Sequence, residues 1–516
     1  MVVKIRYFLL LMIFSGNLFS QSFDTLVSKP IAPGVYYKKI KAPATWVVNI
    51  IKVDLQNPNI KMETVKAANQ VKMFKDDIVL VGGMPTEFLS VMAQSENYDG
   101  HFVTGAINGD FFTDLEGRPN NIQIVKNEIL QKPTKSAVIG FDKSNKPYLG
   151  GVTYKGTLIV KKHGITVKDS SVTIDGINNF RGLDQLWFYN QYIGSEAPDS
   201  LPRSGQNRWA PEFAIEPIDP WVVNGEVRCI IRAKKDCCPD RYIRMQKGWA
   251  ILSQHRNNDD WISAVLNEGD TVRVNLEITP GLDHPSEMLG GSPQIVKDGV
   301  KYVAQGYVDE GTVIDPTKAH HSKELHPRTS VGLSKDNRYL YMVTVDGNQP
   351  NISVGMTLDQ LADLMIKLGA YNALNLDGGP ATTMYADDQV VNVPSTGQEI
   401  PISNALFVVA KSKDLTAVED MSITPSDYKL YQNYPNPFNP STTISYYLKE
   451  NAKVTIKIVN MLGQVVSEIN QGYMSSGLHN VSFDASGLCS GIYVYRLDVS
   501  AEGRNFSETR KMTILK

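Results

Sequence analysis

At 516 residues the chain is longer than one hydrophobic core usually organises, so two or more domains are expected. Its 42% hydrophobic and 21% charged residues fit a globular protein. A net charge of -2, with no basic stripe interleaved with aromatics, argues against nucleic acid or anionic lipid as a partner.

The amino end places Lys4 and Arg6 before the apolar run 7–14, then Ser15, Gly16 and Asn17, the layout of a secretory signal peptide cleaved near Ser20. No later segment is long and apolar enough to be transmembrane. Residues 31–65 read as β structure, rich in β-branched side chains. Residues 85–97 read as a helix with Phe88, Leu89, Met92 and Ala93 on one face. The stretch 101–112 reads as a strand ending in Asn108, Gly109 and Asp110. Several short strands follow over 150–177, and 178–256 reads as an elaborated loop or insertion. The four cysteines are Cys229, Cys237, Cys238 and Cys489; a structural disulfide is expected over metal binding, with Cys229 to Cys237 or Cys238 and a vicinal Cys237–Cys238 bond both open.

A strand is expected at 271–278, and 289–299 pairs a glycine turn with a short apolar strand. His320, His321 and His326 lie close together without a carboxylate or cysteine at ligand spacing, so they read as loop histidines and no metal is assigned. Arg328 offers a fixed cation with a fork of donors for carboxylate or phosphate. The alternating strand 339–345 ends in Asp346 and Gly347. In 356–384, Thr357 and Gln360 stand at capping-box spacing, and Leu361, Leu364, Met365 and Leu368 recur on one helical face before Gly369 stops it. A short strand at 373–376 then delivers Asp377 on a Gly378-Gly379 turn, followed by Thr382 and Thr383. Three strands thus end in Asn or Asp beside Gly, at Asn108, Asp346 and Asp377, and convergence of these ends on one rim is the expectation. Beyond 428 the chain alternates short β segments (454–461, 464–469, 479–483, 492–499, 511–515) with glycine turns, the pattern of a small β-sandwich.

The carboxyl-terminal pieces QNYPNPFNPSTTISYYL, VTIKIVNMLGQVV, SGLCSGIYVYRL and KMTILK closely resemble the type A sorting domain of the type IX secretion system. That resemblance implies export and passage across an outer membrane. Five further motifs resemble the phosphodiester glycosidase family: AINGDFF (106–112), GGSPQIVKDG (290–299), HPRTSVG (326–332), VTVDG (343–347) and GMTLDQLADLMIKLGAYNALNLDGG (355–379). The chain departs from that family after Gly379, where Pro380 removes a backbone donor. The organisation expected is a signal peptide at 1–20, a β-rich region at 21–99 packed on the catalytic domain, a phosphodiester glycosidase-like domain at 100–411, a linker at 412–427 and a sorting domain at 428–516. The expected fold class is α+β, a mixed sheet and helix catalytic domain followed by a small all-β sandwich.

The resemblance implies a secreted glycosidase acting on a sugar-1-phosphodiester in a glycan or envelope exopolysaccharide, with no cofactor. A departing phosphate has a second pKa of about 6, so it needs less protonation than an alcohol. The site then requires a carboxylate for the sugar cation or water and a cation with donors for the phosphate. Asp377 is the first carboxylate and Asp346 the second. Arg328 takes the phosphate, with Asn108, Thr329, Gly378, Gly379, Thr382 and Thr383 orienting. The alternatives are a non-catalytic glycan-binding module and a metal-dependent phosphodiesterase acting at phosphorus. The partners expected are the sugar-phosphate substrate and the type IX machinery, with no nucleic acid.

Overall fold

The computed structural model describes residues 24–413 apart from 43–45, 70–85, 114–116, 135, 161–169, 180–184, 194–210, 311–319 and most of 236–244 and 255–264; it also describes 428–515 apart from gaps of one or two residues. The signal peptide expected at 1–20, nearly all of the linker expected at 412–427, and Cys237 and Cys238 lie outside the described residues. The chain divides into two compact units, 1–417 and 418–516.

The α+β expectation is corrected. The first unit is built overwhelmingly of strands, and its longest described helix, Leu358–Leu368, has only 11 residues. An eight-stranded sheet runs in the order Asp24–Ala32, Val35–Ala42, Trp46–Asp54, Tyr339–Val345, Arg328–Leu333, Asn372–Asn375, Gln294–Lys297, Val300–Lys301. A five-stranded sheet, Gln389–Val390, Met384–Ala386, Phe102–Asn108, Asn404–Ala410, Ile60–Lys66, packs against it. Val53, Met342, Val331 and Leu374 of the first meet Ile107, Met384, Leu406 and Met62 of the second in one buried cluster. Strands covered on both faces carry near-continuous apolar runs rather than alternation, and Asn404–Ala410 is buried at every position.

Each outer face of this pair carries a short helix. Leu358–Leu368 begins in the expected capping box: the Gln360 amide donates to Thr357 Oγ1 at 3.2 Å and the Thr357 amide to Gln360 Oε1 at 2.9 Å. It ends at Gly369, whose φ of 102° is a left-handed cap. Leu361, Ala362, Leu364 and Met365 pack onto Val343, Val345 and Ala373 of the large sheet. Helix Leu89–Ser95 buries Leu89, Met92 and Ala93 against the five-stranded sheet, while Phe88 stays outside it as the N-cap.

The region read as a loop or insertion forms strands. Glu212–Pro217, Glu226–Lys235, Ala250–Gln254 and Leu186–Asn190 join Thr271–Thr279, Thr153–Val160, Ser170–Ile174 and Gly176–Ile177 in a second eight-stranded sheet. Cys229 is a free thiol buried in its core, which corrects the bridge expected from that residue. In the second unit, Lys429–Leu430, Ser441–Leu448 and Gly477–Asp484 form one sheet and Val465–Met474, Ala452–Val459, Gly491–Ala501 and Arg504–Ile514 another. The two share a single core that includes Tyr446, Ile456, Tyr495 and Met512.

Candidate functional site

Strand register decides which of the expected residues meet. Arg328 pairs with Val345 across neighbouring strands, so their side chains share the helix-bearing face of the large sheet. On the other flank Ser330 pairs with Asn375, and the ladder continues as the Leu376 amide donates to Thr329 O and the Gly379 amide to Pro327 O, both at 2.9 Å. Leu376 points into the core between the sheets, so alternation turns Asp377 to the same face as Arg328. Asp346 follows Val345 and therefore turns to the opposite face.

Asn108, from the five-stranded sheet, ties the Asp377 turn in place. Its Nδ2 donates to Asp377 O at 2.7 Å, while its Oδ1 accepts from Thr329 Oγ1 at 2.7 Å and from the Thr383 amide at 3.1 Å. The Asp377 amide donates to Gly109 O at 3.0 Å. Asp377 itself is half-buried, its backbone clamped from both sides. Gly378 has no room for a side chain, since a Cβ there would lie 2.9 Å from Pro327 O. Gly379 is needed for its φ of 59° alone, because nothing lies within 4 Å of an added Cβ.

Around Asp377 the contacts close a ring. Asp110 Oδ2 accepts from the Asn121 amide at 2.7 Å, and Asn121 Nδ2 donates to Ala137 O at 3.1 Å. The Ala137 amide donates to Glu310 Oε1 at 3.4 Å, and Ser292 Oγ donates to Glu310 Oε2 at 2.6 Å. Asn375 Nδ2 donates to Ser292 O at 2.7 Å, and Asn375 stands two residues before Asp377 on the same face. Burial is the main force on Asp110, and the Asp377 and Glu310 carboxylates add to it; against the Asn121 and Phe111 amides they push it up to about 7. Burial likewise raises Glu310, opposed by Ser292 and the Gln294 and Ala137 amides. Sequence reasoning placed Asp110 at a strand end without counting it among the site residues, and it missed Glu310 and Asn375. Asn375 was findable from its two-residue spacing to Asp377, whereas Glu310 sits at the end of a helix far away in sequence.

Arg328 is 2% exposed. Its Nε donates to Met356 O at 2.8 Å and its Nη2 to Glu324 O at 3.0 Å. Burial lowers its pKa to about 10, with Tyr307 and Glu324 pulling the other way. The guanidinium is thus a buried positive charge that anchors the 324–328 segment, and it is the Arg328 backbone that adjoins the Asp377 turn.

Asp346 belongs to a polar seam between the two sheets. Lys39, Asn49, Thr344 and Thr329 stand in one register row across four strands. Asn49 Nδ2 lies 3.5 Å from Asp346 Oδ1. Burial pushes Asp346 up to about 7; the Val393 amide, Lys39 and Asn392 favour its charged form, yet Oδ2 has no partner at hydrogen-bonding geometry among the described residues. Thr382 and Thr383 are buried at the edge of this seam, and their hydroxyls also have no partner among the described residues. The structure therefore gathers Asn108, Gly378, Gly379 and the backbone of Asp377 at one turn, places Thr329 with Asp346 on the interior face of the large sheet, and turns the Arg328 side chain to the opposite face.

Residues 221–409 match the family of phosphodiester glycosidases, and residues 432–514 match the secretion system C-terminal sorting domain. A hypothetical protein from Synechocystis is similar in structure, with a TM-score of 0.52 and 17% identity over 73% of this chain; the match covers 62% of that protein's length. A candidate exported protein from Burkholderia pseudomallei matches with a TM-score of 0.55 and 15% identity, over 76% of this chain and 97% of that one. The catalytic domain of zebrafish N-acetylglucosamine-1-phosphodiester alpha-N-acetylglucosaminidase, auto-inhibited by its pro-peptide, matches with a TM-score of 0.36 and 12% identity, over 75% of this chain and 87% of that one. No curated protein matches the chain in sequence. The sorting domain marks the chain for secretion by the type IX route to the cell surface or beyond. No described helix is long and apolar enough to cross a membrane.

Proposed function

We infer that this secreted chain, whose central region belongs with the phosphodiester glycosidases and whose tail is a sorting domain, hydrolyses the bond between a sugar C1 and a phosphodiester oxygen. The observation that carries the reading is the Asp377 turn: a half-buried carboxylate at a strand end, its carbonyl held by Asn108 and its amide by Gly109. A group fixed on both sides loses little freedom when a substrate arrives, and such preorganisation is what transition-state stabilisation requires.

In this reading Asp377 stabilises the positive charge that develops at C1 as the phosphate departs. Arg328, buried in the neighbouring strand, offsets the negative charge of the phosphate from behind the turn. Asn108 and Thr329 position the turn rather than the sugar, since their mutual bond and the bond to Asp377 O use their polar atoms. Asp346, on the other face, holds the two sheets together through the seam.

A glycan-binding module without turnover is the second reading, and the engagement of Arg328 Nε and Nη2 with backbone carbonyls favours it. The test is a panel of glycosyl phosphodiesters assayed with and without a chelator, using the wild-type chain and Asp377→Asn. The account expects chelator-insensitive sugar release that falls at least about 100-fold in the variant. Binding without product supports the module instead, and chelator-sensitive release supports a metal phosphodiesterase.

A further inference from the structure

Asp110 is the buried acid that the reading above leaves unused. Its position is fixed: the Asp110 amide donates to Asn404 Oδ1 at 2.9 Å, its Oδ2 accepts from the Asn121 amide, and the preceding Gly109 carbonyl accepts from the Asp377 amide. Asp110 and Asp377 therefore flank one peptide unit, with Asp110 3% exposed behind the half-buried Asp377. The charged groups acting on Asp110 are two carboxylates, Asp377 from the strand-end turn and Glu310 from the end of helix Val303–Asp309. Burial first, and the Asp377 and Glu310 carboxylates after it, make Asp110 hold its proton more tightly than an ordinary aspartate does. An acid held up at about 7 still carries its proton in a share of the molecules at neutral pH and can give it to a departing oxygen.

A second, independent observation points to a ligand on the same face. Asn375 Oδ1 is buried and has no hydrogen-bond partner among the described residues, although the Nδ2 of the same side chain is satisfied by Ser292 O. A buried acceptor of this kind is destabilising unless a donor reaches it. A sugar hydroxyl is such a donor.

We propose that Asp110 supplies a proton to the leaving oxygen, which gives this site a further activity: hydrolysis of ordinary O-glycosides whose leaving group is an alcohol. The inference rests on the reading that Asp377 serves glycosyl transfer to water. As the C1–O bond breaks, the electron pair goes to the departing oxygen and the Asp110 proton joins it, releasing an alcohol. Asp377 stabilises the sugar cation, water adds at C1, and the proton lost by that water returns to the Asp110 carboxylate. One glycoside and one water thus give one alcohol and one free sugar. A phosphate leaving group gains little from this proton and an alcohol gains much, so leaving-group dependence is the signature.

The experiment uses the full chain with 2,4-dinitrophenyl, 4-nitrophenyl and methyl glycosides, in both anomers, of glucose, galactose, mannose and N-acetylglucosamine, beside methyl phosphodiesters of the same sugars. The proposal expects wild-type turnover of both classes. Asp110→Asn should lose roughly 100-fold or more on methyl glycosides, and only a few-fold on dinitrophenyl glycosides and phosphodiesters. An equal loss across the series means that Asp110 only supports the fold, and overturns the proposal. Turnover of phosphodiesters with no turnover of alkyl glycosides overturns it too, while sparing the reading beneath. If neither class is cleaved, both fail. Carboxyl-labelled aspartate observed by NMR gives a readout that needs no activity: the Asp110 signal should titrate near neutrality in wild type and lower in Asp377→Asn. Titration in the ordinary carboxylate range also overturns the proposal.

Discussion

Replacing Asn108 with alanine removes the hub that joins the two sheets at the Asp377 turn. Three buried groups lose their partner together: Thr329 Oγ1, the Thr383 amide and the Asp377 carbonyl. A buried polar group left unpaired costs about 1–3 kcal/mol, so with partial relaxation the variant should lose on the order of 4 kcal/mol. Thr329→Val removes a single hydroxyl while Asn108 Oδ1 keeps the Thr383 amide, and should lose only about 1 kcal/mol. The double variant should fall short of additivity by about 1 kcal/mol, because both changes delete the same bond. Equilibrium unfolding followed by tryptophan fluorescence is the assay. All 6 tryptophans precede residue 418, so the signal reports the first unit alone. Turnover by Asn108→Ala should fall about 100-fold through displacement of Asp377. A stability loss below about 1 kcal/mol for Asn108→Ala, or full additivity in the cycle, would refute the hub.

Burial holds the Asp346 acid up at about 7, above its unfolded value of 3.8. The folded state thus binds the proton more tightly; stability from this group is full below the unfolded value and is lost as pH rises through about 7. Asp346→Asn should flatten that part of the stability profile, and an unchanged slope between pH 4 and 7 counts against the buried acid. Arg328→Met leaves Met356 O and Glu324 O without their charged donor and should lose about 3–5 kcal/mol in denaturant unfolding. A loss under about 1 kcal/mol would mean those bonds are dispensable. Gly379→Ala meets open space and carries only the left-handed backbone penalty of about 1–2 kcal/mol. Gly378→Ala meets the Pro327 carbonyl, so its melting temperature should drop further; the reverse order would show that the turn adjusts.

How far the sequence revealed the fold depended on how each segment is buried. The helix Leu358–Leu368 announces itself because one face is covered and the other wet, so its apolar residues recur at three and four. Strands such as Arg328–Leu333 and Asn404–Ala410 are covered on both faces and offer no alternation, which is why the α+β expectation undercounted the sheets. The strands between 178 and 256 are interrupted by polar and proline-rich stretches, and only their pairing with Thr271–Thr279 and Thr153–Val160 makes them a sheet. At the site, Asn108 and Asp377 could be singled out because each stands beside Gly at a strand end, a pattern that is also ordinary turn chemistry and gained weight only from its recurrence. Asp346 shares that local signature, yet a single residue of register after Val345 decides the face, and sequence does not supply register. Glu310 reaches the ring through Ser292 and Ala137, a contact between segments whose adjacency no local pattern encodes.

Hydrolysis of a glycosyl phosphodiester in water enriched in oxygen-18 tests the central claim most directly, because the label records which bond breaks. Attack at C1, with Asp377 steadying the sugar, places the heavy oxygen in the released sugar and leaves the phosphate unlabelled. Label in the phosphate product would contradict the account.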